Sequence, residues 1–247
     1  MEIGLIVVGD EILSGRRSDK HLDSVIELLA KRDLRLSWCQ ILADDLPQLT
    51  RAYRAVLESG SIAFSCGGIG GTPDDLTRQA VADASHRALL PHPEGVEILK
   101  RVFGAELSPE RQRMVEFPTG ARLIPNPINQ VPGFSIDHLH CVPGFPKMAK
   151  PMIEWVLENE YADIEGIHQF ERTIRINDAR ESDLIPLMES ILASYPQVKI
   201  FCLPTLKKAA RWVDLGVKGG DIAQVESAFE ALKQGMQAFD LEWRTLG

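Results

Sequence analysis

Cys66-Gly67-Gly68-Ile69-Gly70-Gly71-Thr72-Pro73-Asp74-Asp75-Leu76-Thr77 is the stretch on which the reading of this chain turns. It follows a short apolar run, Ser61-Ile62-Ala63-Phe64-Ser65, and precedes an amphipathic segment over residues 76–88. That order reads as strand, glycine-rich turn, helix. Gly67, Gly68, Gly70 and Gly71 carry no side chains, so their backbone N–H groups can approach an anion closely. Thr72 adds a hydroxyl. Thr77 lies just inside the helix start, where donors are unsatisfied. Asp74 and Asp75 repel a bare phosphate, so they call either for a divalent metal between them and the ligand or for a helix-capping role. The spacing is neither the dinucleotide fingerprint nor the P-loop. A tight strand-to-helix turn with two N-terminal carboxylates is the alternative without a ligand.

Upstream, Ile3-Gly4-Leu5-Ile6-Val7-Val8 is a near-continuous apolar run, as in a strand buried on both faces. It breaks at a second polar, glycine-bounded loop, residues 9–15, which carries Asp10 and Glu11. A helix follows over residues 21–31, with Leu22, Val25, Ile26 and Leu29 as its apolar stripe. Residues 36–42 read as the next strand and end at Asp44-Asp45. Pro47 then suits the first turn of a helix that buries Leu49, Ala52, Tyr53 and Val56. Strands alternating with helices imply right-handed crossovers and a parallel sheet covered on both faces. Ligands of such sheets sit beyond the carboxyl ends of the strands, where two polar loops could meet.

Downstream the pattern weakens. Residues 94–103 read as a helix with Val96, Leu99, Val102 and Phe103 inward, and residues 109–115 as a second short one. Residues 123–125 and 139–142 read as short strands, followed by the turns Pro132-Gly133-Phe134 and Pro143-Gly144-Phe145-Pro146. Residues 147–158 resume as helix, with Met148, Met152, Trp155 and Val156 on one side. A change near residues 163–166 divides the chain into domains at 1–165 and 166–247. The second part reads β-α-β-β-α: strand 170–176, helix 182–192, strands 198–203 and 212–217, and a last helix capped by Asp221. Lys207, Lys208 and Arg211 form a basic cluster, expected to be a solvated hairpin tip.

The 247 residues carry a formal charge of −8, which argues against nonspecific nucleic-acid binding. No apolar run is long enough to span a membrane, and Glu2, Asp10 and Glu11 interrupt any signal-peptide core, so a cytoplasmic protein is expected. Cys39, Cys66, Cys141 and Cys202 are far apart and read as buried, reduced thiols, with no zinc spacing among them. His138 and His140 fall on one strand face with no third ligand in view and read as non-metal residues.

With these loops together, the chain resembles the MoaB/Mog superfamily of molybdenum-cofactor proteins, and more narrowly the N-terminal part of CinA-like (competence/damage-inducible protein A) proteins. The resemblance rests on Gly9-Asp10-Glu11-Ile12-Leu13-x-Gly15, Gly67-Gly68-Ile69-Gly70-x-Thr72-x-Asp74-Asp75-x-Thr77, Pro132-Gly133-Phe134 and Pro143-Gly144-Phe145-Pro146, in the family's order over about 165 residues. It implies a three-layer α/β/α sandwich with a mostly parallel sheet, followed by a small two-layer α+β domain. It also implies that the deamidase domain ending many such proteins is not in this sequence. The chain differs from the family pattern at Gly71, where proline is usual, at Asp19-Lys20-His21, at Asn129-Gln130 and at Arg111-Gln112-Arg113-Met114.

The resemblance further implies a ligand that is a flat heterocycle or nucleoside carrying phosphate: molybdopterin, or an ADP-ribose-like dinucleotide whose pyrophosphate bond is cleaved with a divalent metal such as Mg²⁺. Asp75 and Asp44 match the acidic positions expected to be catalytic. Asp10, Asp44 and Asp75 would hold the metal. Gly67, Gly68, Gly70, Gly71, Thr72, Thr77, Ser14 and Gly133 would contact the ligand. Retention of a molybdopterin-type ligand without turnover, and a diverged scaffold, are the rival readings. The expected partner is that small molecule, with no nucleic acid and no membrane, and with a homo-oligomer by analogy to the fold's trimers and dimers.

Overall fold

The computed structural model describes residues 2–207 and 210–246, with side chains described outside 206–210. The chain divides into two compact units, Met1–Gly166 and Ile167–Gly247. In the first, the elements run β1 (Ile3–Val8), α1 (Asp10–Leu13), α2 (His21–Ala30), β2 (Trp38–Leu42), α3 (Leu46–Ser59), β3 (Ile62–Cys66), α4 (Thr77–Ser85), β4 (Leu89–Pro91), α5 (Pro93–Phe103), α6 (Pro109–Arg113), β5 (Glu116–Pro118), β6 (Arg122–Ile124), β7 (Gly133–Ile136), β8 (Leu139–Val142) and α7 (Pro146–Asn159).

The main sheet has the order β2-β1-β3-β8-β7-β6. β2, β1, β3 and β8 run parallel, while β7 and β6 reverse direction in turn, so the sheet is mostly parallel. Strand alternation sends Ile6 and Val8 to one face and Leu5 and Val7 to the other. The first face packs on α3 and α4 through Leu49, Tyr53, Val56, Ala80 and Val81. The second packs on α2 and α7 through Val25, Leu29, Met152 and Val156. The result is the three-layer sandwich expected. Because the four parallel strands end at one edge, the segments after Val8, Leu42, Cys66 and Val142 are neighbours. The Gly9 amide donates to the Leu42 carbonyl at 3.0 Å, and the Gly67 amide to the Val142 carbonyl at 3.0 Å.

Several local expectations are corrected. The loop over residues 9–15 contains the one-turn helix α1. Ile26 points outward, 48 % exposed, and Leu28 takes its place in the core. The Pro132-Gly133-Phe134 turn leads directly into a strand, β7, whose four residues are all buried. Cys39 is exposed on the edge strand and Cys202 is half-buried, so only Cys66 and Cys141 are buried thiols; all four are free. His140 is buried in β8, between Ser135 Oγ at 2.8 Å and the Tyr161 hydroxyl at 2.7 Å, whereas His138 precedes the strand. Burial pulls the His140 imidazole down to about 3.

The second unit comprises β9 (Phe170–Asn177), α8 (Glu181–Ser194), β10 (Lys199–Lys207), β11 (Ala210–Gly219), α9 (Ile222–Met236) and β12 (Trp243–Leu246). Its antiparallel sheet, β10-β11-β9-β12, buries Ile174, Leu215 and Val217 with Leu184, Val225 and Leu232 from the helices. Asp221 caps α9, accepting from the Ala223 amide at 2.8 Å. β12 adds a strand to the expected β-α-β-β-α order. The basic cluster lies outside the described side chains at Lys207 and Lys208; Arg211 donates to the Asp178 carbonyl at 2.8 Å. Among the described residues no helix is long and apolar enough to cross a membrane.

Candidate functional site

The glycine loop sits where the chain's direction of travel across the sheet changes. From β1 the chain moves outward to β2, then returns past β1 to β3, so a crevice opens between the carboxyl ends of β1 and β3. Gly67 begins the loop at φ +112°, and a Cβ there would lie 2.4 Å from the Val8 carbonyl oxygen. Only glycine permits that approach. The loop is fastened beneath by a buried hydroxyl chain. Thr77 Oγ1 donates to the Gly67 carbonyl at 2.9 Å, and the Tyr53 hydroxyl lies 3.2 Å from Thr77 Oγ1 and 2.8 Å from Ser65 Oγ. Thr77 is therefore a fully buried anchor of the loop.

Above the loop lies a cavity of about 440 Å³, within the range of small-molecule sites. Its floor is Gly68, Ile69, Gly70 and Gly71 with Thr72 and Asp75. Its walls are largely apolar: Phe103 from the end of α5, Met114 after α6, Val131 and Pro132 before β7, and Phe145 and Met148 at the start of α7. Asn129 adds an amide side chain. Among the described residues, the backbone N–H groups of Gly68, Ile69, Gly70 and Gly71 have no protein acceptor. The walls escaped sequence reading because Phe103 and Met148 continue helical apolar stripes, and periodicity does not separate a core wall from a cavity wall. The signal that marks the site is Phe145, a large aromatic left 60 % exposed beside a Pro-Gly turn.

The acidic residues divide into two sets. Asp10 and Asp44 clasp each other's backbone: the Asp10 amide donates to Asp44 Oδ2 at 3.1 Å and the Asp44 amide to Asp10 Oδ1 at 3.4 Å. Partial burial raises the Asp44 carboxyl above the usual range, and the charges of Asp10, Glu11 and Asp74 add to that rise. Asp75 instead turns back on its own loop, where its Oδ2 accepts from the Thr72 amide at 2.9 Å and lies 2.6 Å from Thr72 Oγ1. Asp74 also meets Thr72 Oγ1, so one hydroxyl proton serves two carboxylates. That hydrogen bond lowers the Asp74 carboxyl. Neither aspartate caps α4, whose N-cap is Leu76 with no side-chain bond.

Arg78 lies buried on α4, with Nε unpartnered and Nη1 only 3.5 Å from the Glu116 carbonyl. Burial lowers its guanidinium, the carboxylates of Glu116 and Asp75 oppose that, and Arg113 reinforces it. The expected metal triad of Asp10, Asp44 and Asp75 is not assembled. Among the described residues no three His, Cys, Asp or Glu side chains are arranged to hold an ion. Two further residues expected at the ligand are placed outside the cavity lining. Gly133 is buried in β7, where a Cβ would meet the Cys141 carbonyl oxygen at 2.4 Å, and its neighbour Pro132 lines the cavity instead. Ser14 is exposed at the end of α1 and lies outside the cavity lining. Gly67 lies beneath the floor, its amide already committed to Val142.

A three-layer α/β/α sandwich with a walled cavity at the carboxyl edge of its sheet defines an α/β ligand-binding domain. The chain belongs to the family described as probable molybdopterin binding domain, whose model matches residues 4–163. Protein Ta0487 of Thermoplasma acidophilum is 26% identical over 201 residues, covering 79% of this chain and 78% of its own length. A CinA-like protein of Anaeromyxobacter dehalogenans is 31% identical over 175 residues, covering 68% of this chain. This chain spans only 43% of that relative's length. The crystal structure of the protein CinA of Thermoplasma acidophilum, described as of unknown function, superposes with a TM-score of 0.59 at 26% identity, over 64% of this chain and 98% of that one.

Proposed function

We propose that the chain binds a flat heterocycle bearing phosphate, of the molybdopterin or ADP-ribose type, in the cavity above the glycine loop. The observation that carries this is the run of four amides, Gly68 to Gly71, without protein acceptors at the floor of an apolar-walled cavity of about 440 Å³. Backbone N–H groups left unpaired at a loop call for an acceptor, and phosphate oxygens are the strongest available. The apolar walls, Phe103, Met114, Phe145 and Met148, suit the faces of a ring system. The family's description as a probable molybdopterin binding domain supports the same ligand class.

Cleavage of a pyrophosphate bond is the second reading. It is favoured by the gathering of Asp10, Glu11 and Asp74 around Asp44, whose carboxyl burial raises. The test is calorimetric titration with ADP-ribose, FAD, NAD and a molybdopterin species, with Mg²⁺ and with EDTA, followed by product analysis. Binding without product, equal in both buffers, is the expected result. Product that disappears in Asp44→Asn establishes the second reading. Silence across the panel contradicts both.

A further inference from the structure

α6 leans directly on the glycine loop. At Gly71 a Cβ would lie 2.6 Å from the Glu110 carbonyl oxygen and 3.2 Å from Met114 Cγ, so α6 can sit this close only while residue 71 has no side chain. The next residue along α6, Arg111, holds its guanidinium carbon 4.7 Å from the centre of the Phe103 ring. Phe103 and Met114 are both cavity walls. α6 thus meets the floor at Gly71 through the Glu110 carbonyl and meets a wall through the adjacent Arg111, stacked on Phe103. The neighbouring acids, Asp74 and Asp75, would repel an anion entering from solvent, and Arg111 is exposed. A planar guanidinium stacked on an aromatic face keeps its N–H edge free for a bidentate acceptor.

We infer that α6 is a lid whose Arg111 clamps the ligand's phosphate from above while the amides of Gly68 to Gly71 hold it from below, so that the site selects a ring carrying a terminal phosphate monoester over the same ring without it. This rests on the binding reading above and names the group that sets its charge selectivity. The residue at position 71 and the arginine at position 111 act together, because the first admits the helix that carries the second.

FMN and riboflavin share one ring and differ by one phosphate, and both report binding by fluorescence. The unmodified chain should bind FMN at least tenfold more tightly than riboflavin. Arg111→Gln should lower that ratio about tenfold, with Arg111→Lys between the two, since a lysine keeps the charge and loses the planar fork. Gly71→Ala should lower the ratio as well, by displacing α6. Thermal midpoints of Arg111→Gln should match the unmodified chain. A ratio unchanged in Arg111→Gln overturns the inference and leaves the binding reading standing. If the unmodified chain binds neither FMN nor any phosphorylated ligand of the earlier panel, the binding reading itself fails and the lid assignment falls with it.

Discussion

Gly67→Ala is the perturbation that reaches deepest into the site. The residue sits at φ +112°, a backbone region that costs an L-residue about 1–2 kcal/mol. Its new methyl would begin 2.4 Å from the Val8 carbonyl oxygen, and β1 cannot retreat because β2 and β3 pair with it on either side. Forcing a carbon into such packing costs a further ~1–3 kcal/mol. The loop must therefore lift from β1, stretching the bond from the Gly67 amide to Val142 and the one from Thr77 to the Gly67 carbonyl. A total near 3 kcal/mol corresponds to a midpoint lowered by about 6–12 °C for a unit of this size. Differential scanning calorimetry on the full chain reads it, since two compact units can melt separately. A midpoint within 1 °C of the unmodified chain would refute the argument that close approach to β1 dictates glycine here.

Four other outcomes follow from the same structure. Thr77→Val removes the donor to the Gly67 carbonyl and should cost about 1–3 kcal/mol in urea unfolding, with Tyr53→Phe costing less because Tyr53 does not touch the loop backbone. Asp44→Asn should raise the thermal midpoint at pH 7, because a carboxyl whose folded value is raised loses stability as pH climbs from 3.8 through that value; at pH 3 the gain should vanish, and a gain independent of pH would contradict the charge argument. His140 stays neutral in the fold and titrates near 6.5 when unfolded, so its contribution is complete above about 6.5 and is lost toward about 3 at up to ~1.4 kcal/mol per pH unit; His140→Gln should flatten that part of the stability profile. Asp75→Asn should tighten FMN binding by removing a negative charge from the cavity floor, whereas weaker binding would point to an ion bridging Asp75 and phosphate.

Much of this was legible in the sequence for a physical reason. Strands buried on both faces read as unbroken apolar runs, and parallel strands end at a common edge, so the meeting of the Asp10 loop, the Asp44 loop and the glycine loop follows from strand order alone. Side-chain direction does not follow in that way. Asp75 bonds to Thr72 while Asp10 and Asp44 bond to each other's backbone, a local hydrogen-bond choice that spacing does not encode. β7 was hidden because Pro-Gly-Phe reads as a turn, yet Gly133 is required by close contact with the Cys141 carbonyl on β8 and with Met152 on α7. The cavity walls were hidden because Phe103, Met114 and Met148 look like ordinary core residues. The departures at Gly71 and Arg111 were visible separately, but only the packing of α6 on the loop joins them.

The most direct measurement is an amide ¹⁵N–¹H titration of the full chain with FMN. The Gly68, Ile69, Gly70 and Gly71 cross-peaks should move together, downfield in ¹H, while Gly67, whose amide already serves Val142, moves far less. Saturation of the site with those four amides unmoved would mean that the phosphate is held elsewhere.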